Sequence, residues 1–312
     1  MGAPRIFFIC RNFGYPLGGV RTIYRHVRML RANGFDAFVV LRTDEAQKFF
    51  EADVPTVPAA SVRLNAADFV VMPEPWNDTF RAMARLPANR VVFCQNHYYL
   101  FHGLLDAPDW SHYGIGHVIA SSEPIAAMIG EVVGLRDVPV IHYGIDHLLF
   151  QPRPKKRQIA LMPRKQKVEA LFIRECFRRR HPRLKDVPFV EIDMVPEARV
   201  AEILGESAVF LSLSRLEGFG MPPVEAMAAG CLVAGFHGGG GLEYARPENG
   251  LWCAAEDLVG AADALARAVD MADGREPGGE AMRLSGEATA GRYTLARAEA
   301  ELLDVWRRIL GG

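Results

Sequence analysis

Short, nearly continuous apolar runs alternate along the chain with longer segments of helical period. Runs of that kind suit strands covered on both faces in a parallel sheet. They fall at residues 5–10, 38–41, 68–72, 90–94, 118–121, 138–141, 159–162, 189–192, 208–213 and 231–236. Helical patterns lie between and after them, at about 21–33, 123–133, 168–180, 196–204, 257–272, 280–289 and 293–310. In the first of these Ile23, Val27 and Leu30 share one face, and Gly34 ends the helix. In the last, Ala298, Leu302, Val305, Trp306 and Ile309 supply the apolar positions. Regular exchange of strand and helix predicts doubly wound α/β architecture.

A length of 312 residues favours two domains, each with its own core. The stretch 153–157 holds proline and charge without an apolar face, so it reads as a linker. The expected domains are therefore 1–152 and 153–312. A formal net charge of -1 gives no global electrostatic case for nucleic acid. Five cysteines, Cys10, Cys94, Cys176, Cys231 and Cys253, are scattered without a CxxC pair, which argues against structural zinc or a disulfide framework. No apolar stretch approaches membrane-spanning length, and the short lead into the first strand lacks a signal-peptide pattern. The expectation is a cytoplasmic enzyme.

Candidate chemistry gathers at strand ends. The run 208–213 leads into Ser214-Arg215-Leu216-Glu217-Gly218-Phe219-Gly220-Met221-Pro222-Pro223-Val224-Glu225, and a helix follows to Gly230. Gly218 and Gly220 allow a tight turn and close approach of a ligand. Pro222 and Pro223 suit a helix start, Glu225 falls in the first turn, and Gly230 is a natural stop. A helix N-terminus at the carboxyl end of a sheet is an anion site. The carboxylates of Glu217 and Glu225 beside it call for a ligand with both phosphates and hydroxyls, as a nucleotide-sugar has. His237 and four glycines, Gly238 to Gly241, follow the next strand and form a loop whose amides can approach oxygens.

The stretch around Glu217 and Glu225 resembles the E-x7-E signature of retaining GT-B glycosyltransferases, especially glycosyltransferase family 4. Four further segments carry the resemblance in family order: the loop with Gly18 and Gly19, the Gly144-Ile145-Asp146 step, the basic turn Arg164-Lys165-Gln166-Lys167, and the polyglycine loop. The resemblance implies two Rossmann-like parallel-sheet domains facing a cleft, with the last helix crossing back to the first domain. It implies that Glu225 binds ribose hydroxyls and Glu217 the sugar hydroxyls. Backbone amides of Gly218, Phe219 and Gly220, with Gly238 and Gly239, would hold sugar or phosphate. Arg164 with Lys165 or Lys167 would neutralise the diphosphate, and Gly18 and Gly19 would close on it. His97, or Asn96 in a register shifted by one, would lie near the transferred sugar. No DxD motif is present, so no metal and no other cofactor is expected.

The partners implied are a nucleotide-sugar, UDP- or GDP-linked, and a hydroxyl acceptor whose selectivity lies in residues 43–64 and 98–116. The basic region 174–185 reads either as a solvated face or as a contact for anionic lipid. Two other readings share the fold: a nucleotide-sugar epimerase, and a degenerate transferase that only binds sugar nucleotides. The basic turn departs from the family's GR…KG spacing, and the His often found before Glu74 is replaced.

Overall fold

The computed structural model describes residues 4–12, 17–43, 53–105 and 107–311. The chain divides into two units, Met1–Tyr143 with Ala296–Gly312, and Gly144–Leu295. In the first unit the strands are β1 (Arg5–Cys10), β2 (Asp36–Leu41), β3 (Thr56–Pro58), β4 (Phe69–Pro73), β5 (Asn89–Cys94) and β6 (His117–Ala120). Its helices are α1 (Gly18–Ala32), α2 (Asn77–Met83), α3 (Leu100–Gly103) and α4 (Glu123–Val132). Ser122 caps α4 by accepting from the Ile125 amide. The sheet order is β3-β2-β1-β4-β5-β6, all parallel. The chain leaves β1 one way and returns on the other side at β4, so the order reverses between them. Such a switch point leaves a crevice at the strands' carboxyl ends.

The second unit contains β7 (Lys156–Leu161), α5 (Lys167–Arg180), β8 (Phe189–Glu191), α6 (Glu197–Glu206), β9 (Ser207–Glu217), α7 (Met221–Ala228), β10 (Leu232–Gly239), β11 (Leu251–Cys253), α8 (Leu258–Ala272) and α9 (Gly279–Ala290). Its parallel sheet runs β11-β10-β9-β7-β8, with the reversal between β7 and β9. Ile159, Leu161, Val209, Leu211, Ala234 and Phe236 form the core with Ile173 and Phe177 of α5 and Leu265 and Val269 of α8. Burial on both faces explains why β7, β9 and β10 read as unbroken apolar runs.

The last helix, α10 (Leu295–Gly311), clusters with the first unit. Trp306 is 1 % exposed, and its ring meets Phe8 and Phe69 at 6.2 and 5.8 Å. Glu301 accepts the His142 backbone N–H at 2.8 Å and the Arg297 Nε–H at 2.7 Å. Burial pushes the Glu301 carboxyl up, but hydrogen bonds from His142 and Arg297 outweigh it and hold the group at about 2.

The structure corrects several expected boundaries. The division falls at Tyr143/Gly144, because Ile145 bridges Thr294 and donates to the Tyr293 carbonyl at 2.9 Å. Residues 144–152 thus belong to the second unit. The expected linker 153–157 is docked. Lys155 Nζ donates to the carbonyls of Gly205 and Ala229 at 2.8 and 2.6 Å, at the C-terminal ends of α6 and α7. Cations satisfy orphan helix carbonyls, a role that composition does not reveal. The expected strand 138–141 makes only an isolated bridge, Ala120 to Val140. In the basic region, Arg174 pairs with Glu191, Arg178 with Glu175, Arg180 with Asp263 and Arg183 with Asp270. That neutralisation suits a solvated face. Among the described residues no helix is long and apolar enough to cross a membrane.

Trp306→Ala should lower stability by about 3–5 kcal/mol, read by denaturant unfolding. A loss below about 1 kcal/mol would show that α10 contributes little to the first unit's core. The folded-state pKa of Glu301 lies below its ordinary 4.5, so the unfolded chain takes up this proton first. Its stabilising effect should be complete above about 4.5 and fade as pH falls toward about 2. Glu301→Gln should flatten that part of the acid-stability curve.

Candidate active site

The switch point of the second sheet gathers most of the predicted residues of this unit. β7 ends at Leu161 and delivers Arg164 and Lys165, while β9 continues to Glu217. The strand is longer than the apolar run implied, so 214–217 is strand, and the loop is Gly218 to Gly220. Lys165 Nζ meets Glu217 Oε1 at 3.0 Å, with the two side chains 47 and 29 % exposed. The choice left open between Lys165 and Lys167 takes a definite form. Lys165 is held by Glu217, whereas Lys167 is the first residue of α5 and is exposed. Arg164 is half-buried beside them in sequence. Arg215 Nη1 binds Glu169 Oε1 at 2.8 Å and ties the end of β9 to α5.

Gly220 is the N-cap of α7, with φ 85°. A side chain in that left-handed conformation is strained. Pro222 and Pro223 stand in the first turn, so two of the helix's four N-terminal amide donors are missing. The anion site expected from the helix end is thereby weakened. Glu225 lies in the second turn, not the first as expected, because the helix begins at Met221. It is 3 % exposed. Gly230, at φ 75°, ends α7 as predicted: its N–H donates to Met227 and that of Cys231 to Ala226, each at 2.9 Å.

The polyglycine segment is not a loose loop. Gly238 and Gly239 end β10 across a register shift, and Gly240 to Glu243 form a 3-10 turn. A Cβ on Gly240 would stand 2.2 Å from the Gly218 carbonyl, so the two backbones are stacked directly on each other. The Gly239 N–H donates to His237 Nδ1 at 3.2 Å. Tyr244, fully buried, donates its hydroxyl to the Gly220 carbonyl at 2.7 Å. Burial raises its pKa well above the ordinary value, so it remains a donor. Phe219 is 1 % exposed and anchors the loop between Tyr244 and Tyr293, at ring distances of 5.2 and 5.0 Å. Its ring is thereby withheld from a ligand. Tyr293 in turn donates to Glu243 at 2.9 Å. Sequence reading missed Tyr244, Glu243 and Tyr293, since an isolated aromatic carries no local signal of what its hydroxyl reaches.

In the first unit the predicted residues gather at another switch point. Gly18 and Gly19 open α1, and the loop residues 13–16 before them lie outside the described residues. Leu17 gives α1 no side-chain cap. A Cβ on Gly19 would lie 3.1 Å from Gln95 Oε1, which also accepts from the Tyr143 hydroxyl at 3.2 Å. Gln95 was not foreseen. Asn96 accepts the Tyr98 amide with its side chain and so acts as a cap. His97 is 8 % exposed, its ring lies 4.2 Å from that of Tyr98, and Nδ1 is buried without a partner among the described residues. Burial lowers its pKa, which keeps the imidazole neutral near pH 7.

Residues 192–283 match the family Glycosyl transferases group 1. The chain is 26 % identical over 229 residues to an alpha-1,6-glucosyltransferase of Actinobacillus pleuropneumoniae, covering 71 % of this chain and 69 % of the relative. Sucrose-phosphate synthase from Thermosynechococcus elongatus superposes with a TM-score of 0.72 at 14 % identity, over 99 % of each chain. Anabaena HepE, solved with UDP-glucose, gives 0.71 at 16 % identity, over 97 % of this chain and 99 % of its own. The strand–loop–helix around Glu217 and Glu225 lies inside the matched segment. Residues 192–283 are thus a Glycosyl transferases group 1 domain, the chain has the GT-B fold, and the protein is a glycosyltransferase.

Proposed function

We propose that the protein transfers a sugar from a nucleotide-sugar to a hydroxyl acceptor with retention of anomeric configuration. The observation that carries this reading is the meeting of Lys165 and Glu217 at the ends of β7 and β9, with Arg164 and the Gly218–Gly220 loop next to them in sequence and Glu225 buried in the helix that follows. Glu225 reads the ribose hydroxyls and Glu217 those of the sugar. Arg164 and a lysine meet the diphosphate. UDP-glucose is the first donor to test, because HepE is solved with it and the A. pleuropneumoniae relative is named a glucosyltransferase. GDP-linked donors follow.

Lys165 and Glu217 neutralise each other. A partly exposed pair of this kind is worth only about 0–1 kcal/mol, so a donor separates it cheaply. The ammonium then turns to the diphosphate and the carboxylate to a sugar hydroxyl. The anomeric carbon–oxygen bond breaks toward an oxocarbenium-like centre, and the electron pair passes to the leaving phosphate. Cations placed beside the leaving phosphate stabilise that charge more in the transition state than in the ground state. The leaving phosphate oxygen takes the acceptor hydroxyl's proton as the new bond forms on the same face. Arg164, Lys165 and Lys167 supply the positive charge that this requires without a metal ion. His97 lies on the acceptor side, next to the exposed rings of Tyr98, Tyr99 and Phe101. The free cysteines suit a reducing, cytoplasmic setting.

UDP-glucose, offered in a donor panel with GDP-, ADP- and TDP-sugars, should raise Tm and be hydrolysed slowly. A panel with no response would count decisively against the reading, and an inverted product would refute retention. Glu225→Ala should weaken UDP binding at least tenfold by calorimetry, since charge-assisted hydrogen bonds are worth about 1.5–3 kcal/mol. Tyr244→Phe leaves the Gly220 carbonyl without its buried donor. It should cost about 1–3 kcal/mol of stability and weaken UDP binding. Unchanged UDP affinity would show that Tyr244 does not set the loop.

A further inference from the structure

A buried carboxylate without a cation needs a reason. Glu74 follows the last residue of β4, beside the switch point of the first sheet, and is 3 % exposed. Its Oε2 accepts the Gln95 N–H and its Oε1 the Asn96 N–H, both at 3.1 Å. Those are the two residues directly before His97. The Glu74 carbonyl is equally constrained, because a Cβ on Gly103 of α3 would stand 2.0 Å from it. Among the described residues no ion pair is formed by Glu74. Its titratable neighbour is the Cys94 thiol of β5, which burial and the Glu74 charge both push up. Burial of Glu74 is opposed by backbone hydrogen bonds, from Gln95 and Asn96 among them, and not by a cation.

We infer that Glu74 is a positioning residue: its carboxylate clamps the Gln95–Asn96 turn and thereby orients His97 for the transfer reaction. The role of His97 rests on the glycosyltransferase reading above; the clamp itself does not. An ionised carboxylate accepts from both amides at once. A protonated one keeps one good acceptor and turns an O–H toward the other N–H, so protonation undoes half of the clamp. Burial pushes Glu74 up to about 7, against hydrogen bonds from Gln95 and Asn96 that pull it down. The clamp therefore switches across neutral pH. A glutamine in its place keeps the volume but presents one N–H₂ to an N–H at every pH.

The test is amide NMR of the full chain between pH 5 and 9. The Gln95 and Asn96 N–H signals should titrate together with a midpoint near 7, and stay flat in Glu74→Gln. With UDP-glucose, Glu74→Gln should lower kcat about 10- to 100-fold, as a displaced reacting group does, and lose the acid limb of the wild-type profile. UDP affinity should not change. Signals that do not titrate in the wild type would overturn the pH switch, and Gln95 and Asn96 signals left unmoved at pH 9 by Glu74→Gln would overturn the clamp. A variant that keeps kcat and its acid limb would overturn the orienting role. If the wild type ignores UDP-glucose while the amides titrate, the donor assignment fails and the clamp stands.

Discussion

The Gly218–Gly220 loop depends on one backbone contact. Gly240 lies so close to Gly218 that no side chain fits between them. The end of β10 and the end of β9 are thereby fixed against each other without any intervening group. Around that contact the remaining restraints are specific: the Tyr244 hydroxyl on the Gly220 carbonyl, and the Phe219 ring between two tyrosines. A loop held this way costs little reorganisation when it meets charge, which is what electrostatic preorganisation requires.

Charge at this site is arranged in compensating pairs. Lys165 answers Glu217, and Arg215 answers Glu169. A cluster of unopposed cations would bind any phosphate; cations already matched to carboxylates favour a ligand that offers phosphate and hydroxyls together. The first unit uses a different device. There a buried carboxylate accepts from two backbone amides, and its stability depends on those two hydrogen bonds.

Much of the fold was legible in the sequence because strands covered on both faces show as unbroken apolar runs. The weak points were those where the same residues serve two purposes. Lys155 looked like part of a linker and instead closes the ends of two helices. Residues 138–141 looked like a strand but make a single bridge, since an apolar run does not specify its own partner. The four glycines read as a loop open to ligand oxygens, because glycine permits both freedom and close contact. The absence of a side chain cannot say which applies.

The sequence by itself determined the parallel α/β architecture, the order of the site segments, and the chemical types of Arg164, Lys165, Glu217 and Glu225. These follow from local periodicity and composition. Only the tertiary structure decided that Lys165 holds Glu217, that Glu225 belongs to the second turn of α7, and that Tyr244 and Glu74 brace the two switch points. The contacts among those facts join segments separated by up to 52 residues. Nothing in local sequence encodes such a distance, because strand order in the sheet, and not position along the chain, sets which ends become neighbours.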